Sequence, residues 1–107
     1  MKVYLEKKKR NVKAVGEYDK NSNSLTVLSG SVLSADISYT EKFRGSKSIA
    51  DKRESVSIVD NILQEDVPFK SPSTAGNFVT GRSTDGLTAW KDENGRSIKE
   101  IRLEGEA

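Results

Sequence analysis

The chain predicts a small α+β domain, an antiparallel sheet of roughly four to six strands with two short helices packed on one side. Three observations carry that expectation. Near the N-terminus, apolar and polar residues alternate through Val3–Leu5 and again through Val12–Tyr18, the pattern of half-buried strands. Two later stretches carry helix boundaries. The 107 residues include 27 large apolar side chains (Val, Ile, Leu, Phe, Met and Trp), which supports one modest core in a single domain spanning residues 1–107.

In chain order, Val3 and Leu5 alternate with Lys2, Tyr4 and Glu6 and run into Lys7-Lys8-Lys9-Arg10. Four consecutive cations on a strand would point to both faces, so residues 1–10 read as a basic edge strand or arm. Val12–Tyr18 and Ser24–Leu28 flank Asp19-Lys20-Asn21-Ser22-Asn23, whose residues tolerate turn geometry; this is a hairpin. Gly30-Ser31 breaks its second strand with a bend or bulge. Residues 32–47 show no period and read as an irregular connector holding Ile37, Tyr39 and Phe43.

From Ser48 to Asp60 the spacing of Ile49, Val56 and Val59 predicts a helix, with Ser48 as cap, Asn61 as its left-handed end, and Lys52 and Arg53 on the solvated side. Ile62-Leu63 and Val67–Phe69 form a strand limited by Pro68. Ser71 then offers a hydroxyl cap ahead of Pro72, which at the first helical position has no hydrogen bond to lose. Ala75, Phe78 and Val79 share one face of the helix so begun, and Gly81 ends it. After Asp85-Gly86, Leu87 and Ala89 alternate with Thr88 and Trp90, a strand pattern. Asp92-Glu93-Asn94-Gly95 is a hairpin-type turn, Ile98 and Ile101 fit either a returning strand or a last helical turn, and residues 104–107 are expected to fray.

Composition narrows the chemistry. The chain has no cysteine and no histidine, which excludes disulfides, zinc fingers and imidazole catalysis, and neither a metal nor a cofactor is expected. A serine nucleophile would have to rely on Lys70 beside Ser71 and Ser73, residues that helix capping already explains. Asp60, Glu65, Asp66 and Lys70 are the right types for a metal-dependent nuclease without a matching spacing. Gly81-Arg82-Ser83-Thr84-Asp85-Gly86 looks superficially like a phosphate loop, yet it follows a helix and lacks the Gly-Lys-Ser/Thr ending. No run reaches the 18 or so apolar residues of a membrane span, and no secretory signal precedes the charged start, so a cytoplasmic chain without membrane association is expected.

Charge is uneven. Residues 1–53 carry 12 basic and 6 acidic side chains, residues 54–107 carry 6 and 10, and the whole chain is +2. Such a split is the footprint of polyanion binding if folding gathers the cations, and of an ordinary soluble surface if it does not. Lys7, Lys8, Lys9 and Arg10 are candidate phosphate contacts or a solvated edge. Arg82 and Lys91, each beside a tight turn, are candidate phosphate contacts or complements to a helix dipole. Trp90, with Phe69, Phe78 and Tyr18, fits a platform for a nucleobase or the anchor of the core.

The series F-x-S-P-S-x-A, G-R-S-x-x-G and W-K, carried by Phe69, Ser71, Pro72, Ser73, Ala75, Gly81, Arg82, Ser83, Gly86, Trp90 and Lys91, adds a family resemblance. It resembles the small domain of unknown function found C-terminal to GIY-YIG nuclease-like modules and in restriction–modification proteins, related to the RAMA (restriction enzyme and adenine methylase associated) domain. Asn94-Gly95 fits the turn after W-K, and weaker similarity runs through Ala14, Gly16, Thr26–Ser31 and Arg53. The chain departs from the pattern at Asp85-Gly86-Leu87, where the family tends to an Asn-Gly-Trp-like turn, and at Gly76, where it has a second Ala. The resemblance implies a non-catalytic accessory module of DNA restriction, modification or repair; its expected mechanism is docking on DNA phosphates by Lys7–Arg10, Arg82 and Lys91, with the Trp90 region reading either shape or a modified base. The competing expectation is a module that docks a nuclease or methylase subunit, or a fused domain, without touching nucleic acid.

Overall fold

The computed structural model describes residues 1–38 and 45–106, with side chains through Leu103. Six strands and four α-helices occur among the described residues, an α+β arrangement. Strands β1 (Lys2–Lys7), β2 (Val12–Asp19), β3 (Ser24–Val27) and β6 (Val67–Phe69) form an antiparallel sheet in the order β1-β2-β3-β6. The alternation read in the sequence sets which face is buried: Val3 and Leu5, then Val12, Ala14 and Tyr18, then Leu25 and Val27, then Val67 and Phe69 all point inward. Register opposes Gly16 to Val27 and Tyr18 to Leu25. A Cβ on Gly16 would come within 2.7 Å of Leu25 Cδ2, so the small residue makes room for the branched one.

Helix α2 (Pro72–Thr80) lies across this inner face with Ala75, Phe78 and Val79 buried, and the Phe78 ring packs 4.9 Å from that of Phe69. Its ends are built from local chemistry: the Thr74 N–H donates to Ser71 Oγ at 3.2 Å, Pro72 occupies the first turn, and Gly81 closes the helix at φ 69°. Gly81 also passes against the backbone of Asp36 and Ile37, so both its positive φ and its missing side chain are needed.

Beyond Val27 the chain curls. The Val15 N–H donates to Ser31 Oγ at 3.0 Å, Lys13 bridges Val32, and Val32 bridges Ile62. Ser31 thus fills the ladder where Gly30, at φ 93°, has broken the strand. Tyr39 and Phe43 of the expected connector lie outside the described residues.

Four elements differ from the sequence reading, the first being the single strand expected over Ile62–Phe69, which is two: Ile62–Leu63 in a small hairpin and β6 in the main sheet. The helix expected over Ser48–Asp60 is α1 (Ser46–Ser55), and β4 (Ile58–Val59) pairs with β5 (Ile62–Leu63) around Asp60 and Asn61, both at positive φ. Asn61 is therefore the second residue of a two-residue hairpin turn and not a helix end; the β-branched residues Val56, Ile58 and Val59 favour extended backbone. The strand expected over Leu87–Trp90 is a single helical turn, α3 (Gly86–Ala89), because Asp85 accepts from the Leu87 N–H at 3.1 Å and closes the turn at Ala89. Four alternating residues are too few to separate a strand from one helical turn. Ile98 and Ile101, left open between two readings, belong to α4 (Ile98–Glu106), which takes in part of the tail expected to fray. Its start is signalled by Ser97-Ile98-Lys99-Glu100, where Ser97 Oγ accepts from the Glu100 N–H at 3.2 Å.

Candidate functional site

The four consecutive cations sit at the tip of the β1–β2 hairpin. Lys7 ends β1, Lys8–Arg10 make one 3-10 turn, and Asn11 at φ 56° turns the chain back into β2. Lys7, still extended at φ −131°, and Arg10, the last residue of the turn, share a side. They line a cleft of ≈ 650 Å³ whose other walls are Tyr4, Glu6, Lys91 and the segment Ser83–Asp85 with Thr88 and Ala89. Lys9 turns the other way, into an adjoining cleft of ≈ 330 Å³ that it shares with Arg82, Asp36 and again Arg10. Lys8 lines neither of these two clefts.

Lys91 reaches the first cleft through backbone pairing. Its N–H donates to Tyr4 O at 2.9 Å and its carbonyl accepts from the Tyr4 N–H at 2.7 Å, an antiparallel bridge on the outer edge of β1. Directly opposed residues in such a bridge project to the same face, so the Tyr4 and Lys91 side chains stand together. On the far side Lys91 bridges Ser97 across the Asp92–Gly95 turn. That turn is held by Asp92, whose carboxylate accepts from the backbone N–H groups of Asn94 and Arg96 at 2.9 Å each and from Arg96 Nε at 3.2 Å. The Arg96 backbone N–H, then that of Asn94 and the Arg96 charge, hold the Asp92 carboxyl below the usual aspartate range against the opposing effect of its desolvation.

The opposite wall, residues 81–86, is fixed by side chains bonding to backbone. The Arg82 N–H donates to Thr80 Oγ1, the Thr84 N–H to Asn77 Oδ1, the Gly86 N–H to Ser73 Oγ and the Leu87 N–H to Asp85 Oδ1. These N–H groups are consumed within the protein. A phosphate cradle of the Gly-rich kind needs a run of free N–H groups, and those of Arg82, Thr84 and Gly86 are taken, which weakens the superficial likeness of Gly81–Gly86 to such a loop. Ser73 is thus a brace between α2 and α3, and Gly86 abuts the backbone of Pro72 and Ser73.

Trp90 is corrected from a candidate base platform to a core anchor. It is 0% exposed, and its indole N–H donates to Pro72 O at 3.0 Å, so no ring face is open to a ligand and its polar end is satisfied internally. Phe69, Phe78 and Tyr18 are likewise buried, so of the two readings offered for this group with Trp90, platform or core anchor, the structure supports the core. Arg53, expected to solvate its helix, instead donates to Ser34 O at 2.8 Å and to Phe78 O at 2.8 Å, joining α1 to the C-terminal turn of α2. Glu65 and Asp66 accept from the backbone N–H groups of Ser57 and Ser29. Among the described residues no group of three or more acidic side chains is placed to hold a metal ion, and no helix is long and apolar enough to cross a membrane.

Folding therefore gathers Lys7, Lys9, Arg10, Arg82 and Lys91 around two adjoining clefts, with Arg10 shared, and brings Glu6, Asp36 and Asp85 with them. Five cations against three carboxylates make a weakly basic surface. Attraction of an anion there depends on local pairing and not on a long-range field, which salt screens beyond about 8–10 Å. The aromatic that the sequence reading passed over is Tyr4. Its signal was present in the alternation of β1, where an aromatic occupies an outward position between Lys2 and Glu6.

Compared with known proteins, the chain matches the family described as "Domain of unknown function (DUF4357)" over residues 4–102. No curated protein and no solved structure matches it.

Proposed function

Because the chain belongs to the DUF4357 family, whose description assigns no activity, we propose its function from its surface: a non-catalytic accessory module that contacts DNA through backbone phosphates. The observation that carries this reading is the convergence of Lys7, Arg10 and Lys91 on one cleft, extended through Arg10 to Lys9 and Arg82. The first three come from the hairpin tip and the bridge beside Trp90, segments far apart in the chain, and both are held by backbone hydrogen bonds. Arg10 and Arg82 supply guanidinium groups able to bond a phosphate in bidentate fashion, and the lysines supply point charge. Service in DNA restriction, modification or repair is the setting that the motif resemblance implies, and it belongs to this proposal. A modified-base reader built on Trp90 does not, since that ring is enclosed.

A second reading has its own support. Glu6, Asp36 and Asp85 on the same walls give a mixed-charge surface, which suits a nuclease or methylase subunit presenting both signs. Salt separates the two. Fluorescence anisotropy with a short labelled duplex should give a log affinity against log salt slope of roughly −2 to −3, about −0.9 for each of two or three phosphates neutralised. Arg10→Ala should shrink that slope by about one, and Arg82→Ala with Lys91→Ala should weaken binding without shifting the melting curve. Absence of duplex binding at low salt removes the DNA reading and leaves the docking module.

A further inference from the structure

Among the described residues Tyr4 is the one aromatic ring left open, 40% exposed where Tyr18, Phe69, Phe78 and Trp90 are at most 8%. Both its backbone N–H and its carbonyl are bonded to Lys91 at the sheet edge, and it stands opposite Val15 of β2. The ring therefore stands on a rigid base, within the cleft that Lys7, Arg10 and Lys91 line and facing a wall that includes Thr88 and Ala89. The cleft, ≈ 650 Å³, is half open, and Glu6 and Asp85 share its lining with the three cations.

Resting on the phosphate-contact reading above, we infer that this cleft takes an unstacked nucleotide of single-stranded nucleic acid, its base on the Tyr4 ring and its phosphates on Lys7, Arg10 and Lys91. A duplex keeps its bases stacked on one another, so it can present phosphates to the cations but no base face to Tyr4. A single strand presents both. Stacking on an aromatic accepts any base because every base has a π-face, and the backbone bonds to Lys91 leave only the Tyr4 side chain to be ordered on binding.

The test compares a labelled 12-mer of oligo(dT) with a labelled 12-base-pair duplex, by anisotropy at low salt, on the full chain. Wild type should prefer the single strand. Tyr4→Ala should weaken single-strand binding by about 5- to 150-fold, the effect of losing one base stack, and leave duplex affinity within about twofold, since its phosphate contacts remain. Tyr4→Leu, which keeps the side chain's bulk on the strand but has no π-face, should behave like Tyr4→Ala. Tyr4→Phe should match wild type. Circular dichroism melting shows whether each variant is folded. Unchanged single-strand affinity in a folded Tyr4→Leu, or equal losses on both ligands, overturns the inference while Arg10→Ala still reports on phosphate contact. Binding of neither ligand by wild type overturns both.

Discussion

Replacing Gly86 by alanine tests the joint on which the cleft wall depends. Helix propensity alone predicts a gain, since alanine within a helix is favoured over glycine by up to about 1 kcal/mol. The tertiary structure predicts the opposite. A Cβ on Gly86 would land on the carbonyl carbon and oxygen of Pro72 and the nitrogen of Ser73, the backbone of the first turn of α2. Overpacking against side chains costs about 1–3 kcal/mol. Here the obstacle is backbone pinned by the Ser71 cap and by the bond from the Gly86 N–H to Ser73 Oγ at 3.0 Å, which places the cost at the upper end. Setting about 3 kcal/mol of strain against the propensity gain leaves a net loss of about 2 kcal/mol. With a urea m-value of about 2 kcal/mol/M, the unfolding midpoint should fall by about 1 M. Trp90 supplies the signal, being the single tryptophan and fully buried in the folded chain. A midpoint that is unchanged or raised would show that α3 does not pack backbone to backbone on α2, and the wall carrying Thr88 and Ala89 would then need another support.

Two further outcomes follow from side chains already placed. Arg53→Ala should lower stability by about 2–3 kcal/mol, the worth of charge-assisted bonds to the carbonyls of Ser34 and Phe78; Arg53→Lys should not restore it, because an ammonium lacks the planar fork that spans both acceptors. Thermal melts check this, and full rescue by lysine would show that charge alone matters. Asp92 gives an acid dependence: its folded carboxyl binds a proton less readily than in the unfolded chain, so its contribution is complete above the ordinary aspartate range, about pH 4, and is lost as pH falls through the lower folded value. Melting temperatures taken between pH 2.5 and 6 should therefore fall at the acid end, and less steeply in Asp92→Asn; identical slopes for the two proteins would exclude Asp92 as a source.

What the sequence determined on its own is the set of features whose physics is complete within a few residues. The α2 cap at Ser71, Pro72 in the first turn and the left-handed close at Gly81 rely on bonds spanning at most four positions. The inward faces of β1, β2 and β3 were legible because a period of two survives any choice of partner. Ser97-x-x-Glu100 is a helix start of the same short reach, a signal that the open reading of Ile98 and Ile101 did not use. Only the tertiary structure decided the rest. Whether Trp90 faces solvent or Pro72 depends on where α3 docks, and whether Arg53 solvates or clamps depends on the segment at Ser34. That Tyr4 meets Lys91, and Arg10 joins Arg82 around a shared cleft, depends on pairings between distant parts of the chain. A side chain's type is local, but what it touches is set by which strands pair, and that is chosen by the burial of the whole core at once.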